Sequence, residues 1–81
     1  MEVIQTLIED GTVQYECRDD DGKMYGVADT IQEGMVVDTL VLDMETLDEI
    51  EDSDLFKRIL MARAHYLADD YQLMEEIRHL Y

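Results

Sequence analysis

The sequence has no proline, a single cysteine and only six basic residues in 81. One cysteine, Cys17, excludes an internal disulfide framework, and a reducing, cytoplasmic compartment is the simple expectation. Met1 is followed directly by Glu2, so the basic segment typical of a signal peptide is missing and we expect none. No apolar run approaches the roughly 18 residues of a membrane span. A chain of this length predicts one domain with a small core.

The charge is distributed unevenly along the chain. Residues 1–54 contain 17 of the 21 acids and only two bases, whereas residues 55–81 contain four acids and four bases. The stretch 43–54 alone has seven carboxylates and no base. An apolar fraction of 47% argues against disorder. The net charge of −15 opposes binding to DNA or anionic lipid and predicts a basic partner.

Three glycines divide the first half at nearly even spacing. Gly11, Gly22 and Gly34 each follow an acid, and the Asp-Gly pair, which occurs at the first two, is typical of tight hairpin turns. The intervening segments are rich in β-branched residues, so the spacing predicts a four-stranded antiparallel meander. Its strands are expected at residues 2–9, 12–18, 23–31 and 35–42. The first segment also fits a helical stripe, which leaves a short N-terminal helix as the alternative.

Two of the predicted strands differ in their apolar pattern. Residues 12–17 alternate, with Val13, Tyr15 and Cys17 on one face, as in a strand that is covered on one side. Residues 35–42 are almost continuously apolar, which predicts a strand covered on both faces.

After residue 42 the pattern indicates helices. Asp43 can cap a short acidic helix in which Thr46 and Glu49 have capping-box spacing and Leu47 and Ile50 face inward. The sequence then predicts helical structure over 53–81, beginning with a serine cap. A second possible cap near residue 69 leaves open whether this segment is one helix or two. The prediction is an α+β fold in a single domain, with a β-meander at 1–42 and a helical part at 43–81.

No motif for catalysis or metal binding accompanies the acids. Residues 19–22 resemble part of a calcium loop, but placing Gly22 at its sixth position puts Cys17 first and Ala28 twelfth, where Asp and Glu are required. Cys17, His65 and His79 lack the paired spacing of a zinc site. We therefore expect no enzymatic activity, no metal and no cofactor.

The acidic stretches themselves are the candidate site. On a helix, carboxylates three or four residues apart lie about 5–6 Å from each other, and duplex DNA carries a phosphate about every 3.4 Å along each strand. Rows of carboxylates can therefore imitate a phosphate track. The candidate partner-binding residues are Asp43, Glu45, Asp48, Glu49, Glu51, Asp52 and Asp54, with Asp19, Asp20 and Asp21 at a hairpin tip as a second patch.

In size, charge and lack of a catalytic motif, the chain resembles the small acidic proteins with which phages block host defence nucleases, including DNA mimics and anti-CRISPR proteins. The resemblance implies a non-enzymatic inhibitor in the host cytoplasm that occupies a basic nucleic-acid-binding surface of a nuclease or CRISPR effector, without binding nucleic acid or membrane itself. The alternatives are an acidic regulatory or assembly protein with another basic partner, and a generic salt-adapted domain. The apolar residues of the C-terminal helices also suggest a homodimer seam.

Overall fold

A computed structural model describes residues 1–79 of the chain. Four strands are followed by two helices: β1 (Glu2–Glu9), β2 (Thr12–Arg18), β3 (Met24–Gln32), β4 (Met35–Asp43), α1 (Ser53–Asp69) and α2 (Tyr71–Arg78). The strands form one antiparallel sheet in the order β1-β2-β3-β4. The predicted α+β class and β-meander are confirmed, and the first segment is a strand. Within residues 1–79, neither helix combines the length and apolar character that crossing a bilayer requires.

Two of the hairpin turns have the backbone conformation that their sequence predicts. Asp10 and Gly11 have φ of 50° and 77°, and Glu33 and Gly34 have φ of 54° and 76°. Two successive left-handed residues match the twist of antiparallel strands, which is why Asp-Gly is favoured there. A Cβ on Gly34 would lie 2.7 Å from the carbonyl oxygen of Arg78, so the end of α2 packs directly on the β3–β4 turn.

The core lies between one face of the sheet and the helices. Val13, Tyr15 and Cys17 of β2 are all buried, as their alternation predicts. Ile59 of α1 is buried against them, and the ring of Tyr66 packs edge-on against Tyr15 with centroids 6.5 Å apart. Burial raises the pKa of the Cys17 thiol to about 11, so this cysteine behaves as a small apolar core residue.

One carboxylate lies inside this core. Asp29 of β3 is 1% exposed and forms an ion pair with Arg63 of α1. The hydroxyl of Thr39 on β4 donates a second hydrogen bond to the same carboxylate at 2.7 Å. Because a buried charge requires a partner, this contact fixes where α1 crosses the sheet.

The expectation that β4 is covered on both faces is wrong. β4 is an edge strand, and most of its first six residues are exposed. α1 packs against β1 and β2, towards the edge of the sheet that is opposite β4. Val36 pairs with Ile31 and Asp38 with Thr30, so Val37 is an extra residue in a β-bulge. The bulge interrupts the in–out alternation at Val36 and Val37. Leu40 and Leu42 instead alternate regularly with the buried Val41 and lie on the opposite face of the sheet.

The predicted acidic helix is also absent, and residues 44–52 form a loop. Asp43 accepts hydrogen bonds from the N–H of Glu45 at 2.8 Å and of Thr46 at 3.4 Å, as a helix cap would. The turn stops at Leu47, whose φ of 63° is left-handed. Glu49 then forms a β-bridge with Leu42. Leu47 is 68% exposed and does not face inward as predicted, whereas Ile50 packs on the core.

The helical part therefore begins at residue 53 rather than 43. The cap of α1 is Asp52 and not Ser53, because the Asp52 carboxylate accepts from the N–H of Asp54 at 2.9 Å and of Leu55 at 3.1 Å. The choice between one helix and two is also settled. Asp70 separates α1 from α2 and caps the second helix, accepting a hydrogen bond from the N–H of Leu73 at 3.0 Å.

Candidate functional site

The two acidic stretches of the sequence meet at one end of the sheet. The β2–β3 turn carries residues 19–21, and the chain leaves β4 beside it. The Lys23 ammonium lies 2.9 Å from a carboxylate oxygen of Asp43, and the N–H of Met44 donates to the carbonyl of Met24 at 3.2 Å. We call residues 19–21 and 43–54 the acidic end. By this definition it includes all ten candidate residues predicted from the sequence. The contacts bring Asp43 beside the hairpin tip, and the hydrogen bonds of residues 48–50 to β4 show that the chain then runs back along the edge of that strand.

Three of these ten carboxylates hold the local backbone in place. Asp19 accepts hydrogen bonds from the N–H of Asp21 at 3.0 Å and of Lys23 at 2.9 Å, which shapes the hairpin tip. Asp43 shapes the first turn of the loop, and Asp52 caps α1. These three residues have a structural role that is independent of any partner.

Lys23 pairs with Asp43, and the sequence around Asp43 does not indicate this contact because it contains no base. Its hydrogen bond to Asp43 lowers the pKa of that carboxyl, and the backbone N–H of Glu45 adds to the effect. The same hydrogen bond raises the pKa of Lys23. The pair therefore stays charged across the neutral range and ties the hairpin tip to the loop.

The other seven carboxylates of the acidic end are exposed. They are Asp20, Asp21, Glu45, Asp48, Glu49, Glu51 and Asp54. Asp20 lies 3.9 Å from the terminal amine of Met1. The remaining six side chains form no ion pair or hydrogen bond within residues 1–79. Across the same residues, no three Asp, Glu, His or Cys side chains are grouped so as to hold a metal ion. The negative charge of this surface is therefore not neutralised locally.

An apolar groove lies beside the acidic end, on the face of the sheet opposite the helices. It has a volume of about 330 Å³, and its walls include Leu40, Leu42, Met44 and Leu47, with Glu16 among the polar lining residues. A Cβ on Gly26 would lie 2.8 Å from the sulfur of Met44, so the glycine lets this side chain lie across the sheet. The groove is not evident from the sequence, because nothing local indicates that the loop folds back over β3 and β4.

The tyrosines divide between the core and the surface. Tyr15 and Tyr25 are buried in the core, whereas Tyr71 at the start of α2 is 80% exposed.

The chain matches no family model, and no curated protein or solved structure is significantly similar to it.

Proposed function

We propose that this protein is a non-enzymatic inhibitor whose acidic end occupies a basic nucleic-acid-binding surface of a host defence complex, in the manner of a DNA mimic. The observation that carries the proposal is the meeting of two separate acidic stretches at one end of the sheet, where Lys23 joins them. A surface of unpaired carboxylates selects a partner by charge, and a groove lined with Lys and Arg that holds nucleic acid is such a partner.

The charge density of the chain supports this proposal. The molecule is 34 Å long, and a DNA duplex of that length carries roughly 20 phosphate charges. The chain has 21 acidic residues and a net charge of −15. Asp29 is buried and paired with Arg63, so it contributes nothing to the surface. The surface charge per unit length is therefore of the same order as that of the polymer it would replace.

Charge and apolar contact would have different roles in binding. Exposed carboxylates mainly raise the rate of association, whereas affinity depends on a few buried anchors. Leu47 projects from the middle of the acidic loop with 68% of its surface exposed, and it shares the apolar groove with Met44. We therefore assign steering to the carboxylates and anchoring to Leu47 and Met44, against a basic partner surface with an apolar centre.

The test is affinity capture of the partner from host lysate, followed by competition with duplex DNA or guide RNA. A nucleic-acid mimic must be displaced by the nucleic acid that it imitates. A captured partner without a nucleic-acid site, or one that nucleic acid fails to displace, would favour an acidic assembly protein instead. A salt-adapted domain would unfold at low ionic strength, where a mimic stays folded and binds more tightly.

Charge reversal locates the binding surface. The test variant changes Glu45, Asp48, Glu49 and Glu51 to Lys, and it leaves the structural carboxylates Asp43 and Asp52 in place. The matched control changes Glu9, Glu33, Asp69 and Glu76 to Lys, so both variants shift the net charge by the same amount. We expect the first to lower the association rate by about tenfold or more and the control to have a much smaller effect. Equal losses would show that only the net charge matters.

A second pair of variants separates anchoring from steering. Leu47→Ala removes the apolar side chain and keeps every charge, and Leu7→Ala is the control at an exposed leucine of β1. Loss of an anchor raises the dissociation rate and leaves the association rate unchanged. We expect this result for Leu47→Ala alone. Identical kinetics for the two alanine variants would remove Leu47 from the interface.

A further inference from the structure

The apolar groove follows the direction of one strand. Its floor is formed by Gly26 and Ala28, the small residues of β3 that point away from the helices. Leu40 and Leu42 of β4 form one wall, and the residues of β2 that face Gly26 and Ala28 in the sheet register form the other. The groove is therefore a trough along β3, with β2 and β4 as its sides.

The dimensions of the trough match those of an α-helix. Its sides are two strand spacings apart, or about 9.6 Å at 4.8 Å per strand, and a helix with its side chains is about 10–12 Å wide. The six residue steps of β3 from Met24 to Thr30 span about 20 Å at 3.4 Å per residue. This is the length of about 13 helical residues.

Backbone hydrogen bonding also favours a helix over an extended segment as the occupant. β2 and β3 each have a paired strand on both sides, so their backbone groups are satisfied within the sheet. An extended segment lying on this face would bury its own N–H and C=O groups without partners, which is unfavourable. A helix satisfies its backbone internally and presents an apolar stripe to a groove.

The charges around the trough determine which kind of helix fits it. Glu16 lines the trough, and Glu9 and Asp38 lie on the same face at the end remote from the acidic loop. None of these three carboxylates forms an ion pair or hydrogen bond within residues 1–79. Arg18 is the one base in the four described strands, and it pairs with Glu2 at 2.9 Å. A helix whose apolar stripe is flanked by Lys and Arg is therefore complementary to this face.

We propose that the trough binds a basic amphipathic helix of the partner, which lies along β3 with its apolar stripe on Gly26 and Ala28. This inference rests on the proposed function in one respect, that the partner is a basic protein, and it names the element of the partner that docks. It extends the apolar contact from Met44 and Leu47 to the outward residues of β4.

The test uses a synthetic peptide of leucine and lysine, about 14 residues long, with leucine at every third or fourth position so that one face of the helix is apolar. Its isomer has the same composition, but its leucines are spread evenly around the helix. Fluorescence anisotropy of labelled peptide measures the affinity of the full chain for each. Both peptides carry the same charge, so attraction to the carboxylates alone gives them equal affinity. We expect the isomer to bind at least about tenfold more weakly, because it lacks the apolar stripe.

Two lysine variants locate the bound peptide. Leu40→Lys places a cation in the wall of the trough and should weaken binding of the amphipathic peptide at least about tenfold. Met61→Lys is the matched control, because it makes the same change of charge at an exposed apolar residue of α1. It should bind the peptide like the wild type. Circular dichroism verifies that both variants are folded.

Amide NMR shifts of the wild-type protein provide a measurement that needs no variant. The amphipathic peptide should shift Gly26, Ala28 and Leu42 most, whereas the isomer should shift mainly residues of the acidic end. Equal affinities for the two peptides, or shifts confined to the acidic end with both, would overturn the proposal.

Failure of this inference is distinguishable from failure of the proposed function. If DNA displaces the captured partner but Leu40→Lys captures it as well as the wild type does, the docked helix is wrong and the proposed function stands. If the amphipathic peptide binds in the trough but the captured partner has no nucleic-acid site, the docked helix stands and the nucleic-acid mimic is wrong.

Discussion

Asp29 and the exposed carboxylates of the acidic end are the same chemical group in opposite surroundings. Asp29 lies inside the core, where Arg63 and Thr39 satisfy it. Glu45 and Glu51 lie at the surface without a partner among the described residues. The core keeps one acid because that acid is paired, whereas the acidic end keeps many unpaired acids despite their mutual repulsion. The first arrangement serves the fold, and the second leaves charge available to another molecule.

Removing the buried carboxylate should have the largest effect on stability. Asp29→Ala leaves the Arg63 guanidinium partly buried and without its counterion, so we expect the free energy of unfolding to fall by about 3–5 kcal/mol. The measurement is urea denaturation followed by circular dichroism. Replacing both partners by apolar residues, Asp29→Leu with Arg63→Met, should recover much of this loss, because no charge then remains in the core.

The control is an exposed ion pair of the same chemistry. Arg78 and Glu75 lie 2.9 Å apart on α2, and both side chains are more than half exposed. Glu75→Ala should lower the free energy of unfolding by less than about 1 kcal/mol, because solvent screens an exposed pair. Comparable losses for Asp29→Ala and Glu75→Ala would show that burial of the Asp29 pair does not determine its contribution.

The two regions also differ in how far the sequence alone predicts them. The strands and turns of the sheet follow from local chemistry: glycine after an acid at each turn, and alternation in β2. The Asp29–Arg63 pair joins positions far apart in the chain, and nothing local identifies it. In the sequence, Asp29 only interrupts the apolar pattern of its strand.

At the acidic end, the composition was predictable and the conformation was not. Asp43, Thr46 and Glu49 have helix-cap spacing, and Asp43 does accept the hydrogen bonds of a cap. The helix does not continue, because Glu49 pairs with Leu42 of β4, a tertiary contact that overrides the local preference. The same long-range folding joins the two acidic stretches through Lys23 and creates the groove beside them.

A smaller effect tests whether Asp52 or Ser53 caps α1. Asp52 accepts two backbone hydrogen bonds at the start of α1, whereas the neighbouring Ser53 is already helical. We expect Asp52→Ala to lower the free energy of unfolding by about 1 kcal/mol and Ser53→Ala to change it by only a few tenths. Thermal and urea denaturation of the two variants measure this difference. A larger loss for Ser53→Ala would show that Ser53 is the cap, as the sequence predicts.

The smallest effect concerns the Lys23–Asp43 ion pair that links the two acidic stretches, and it depends on pH. Because Lys23 lowers the pKa of Asp43 below its ordinary value of 3.8, this carboxyl stabilises the fold at pH above that value. The contribution is lost as the pH falls through the lower, folded-state pKa. Lys23→Met should therefore raise the pKa of Asp43 and move the loss to higher pH. Carboxyl NMR titration measures the shift directly.

Arg18→Met provides the control for this titration, because Arg18 is a base at the same end of the sheet that pairs with Glu2 at 2.9 Å and not with Asp43. It should leave the pKa of Asp43 unchanged, and an equal shift in both variants would attribute the effect to net charge and not to the Lys23 contact. Lys23→Met also removes one positive charge, so the net charge of −15 becomes more negative by one. If partner capture nevertheless weakens, the two acidic stretches must be held together to bind, because charge alone would strengthen binding to a basic surface.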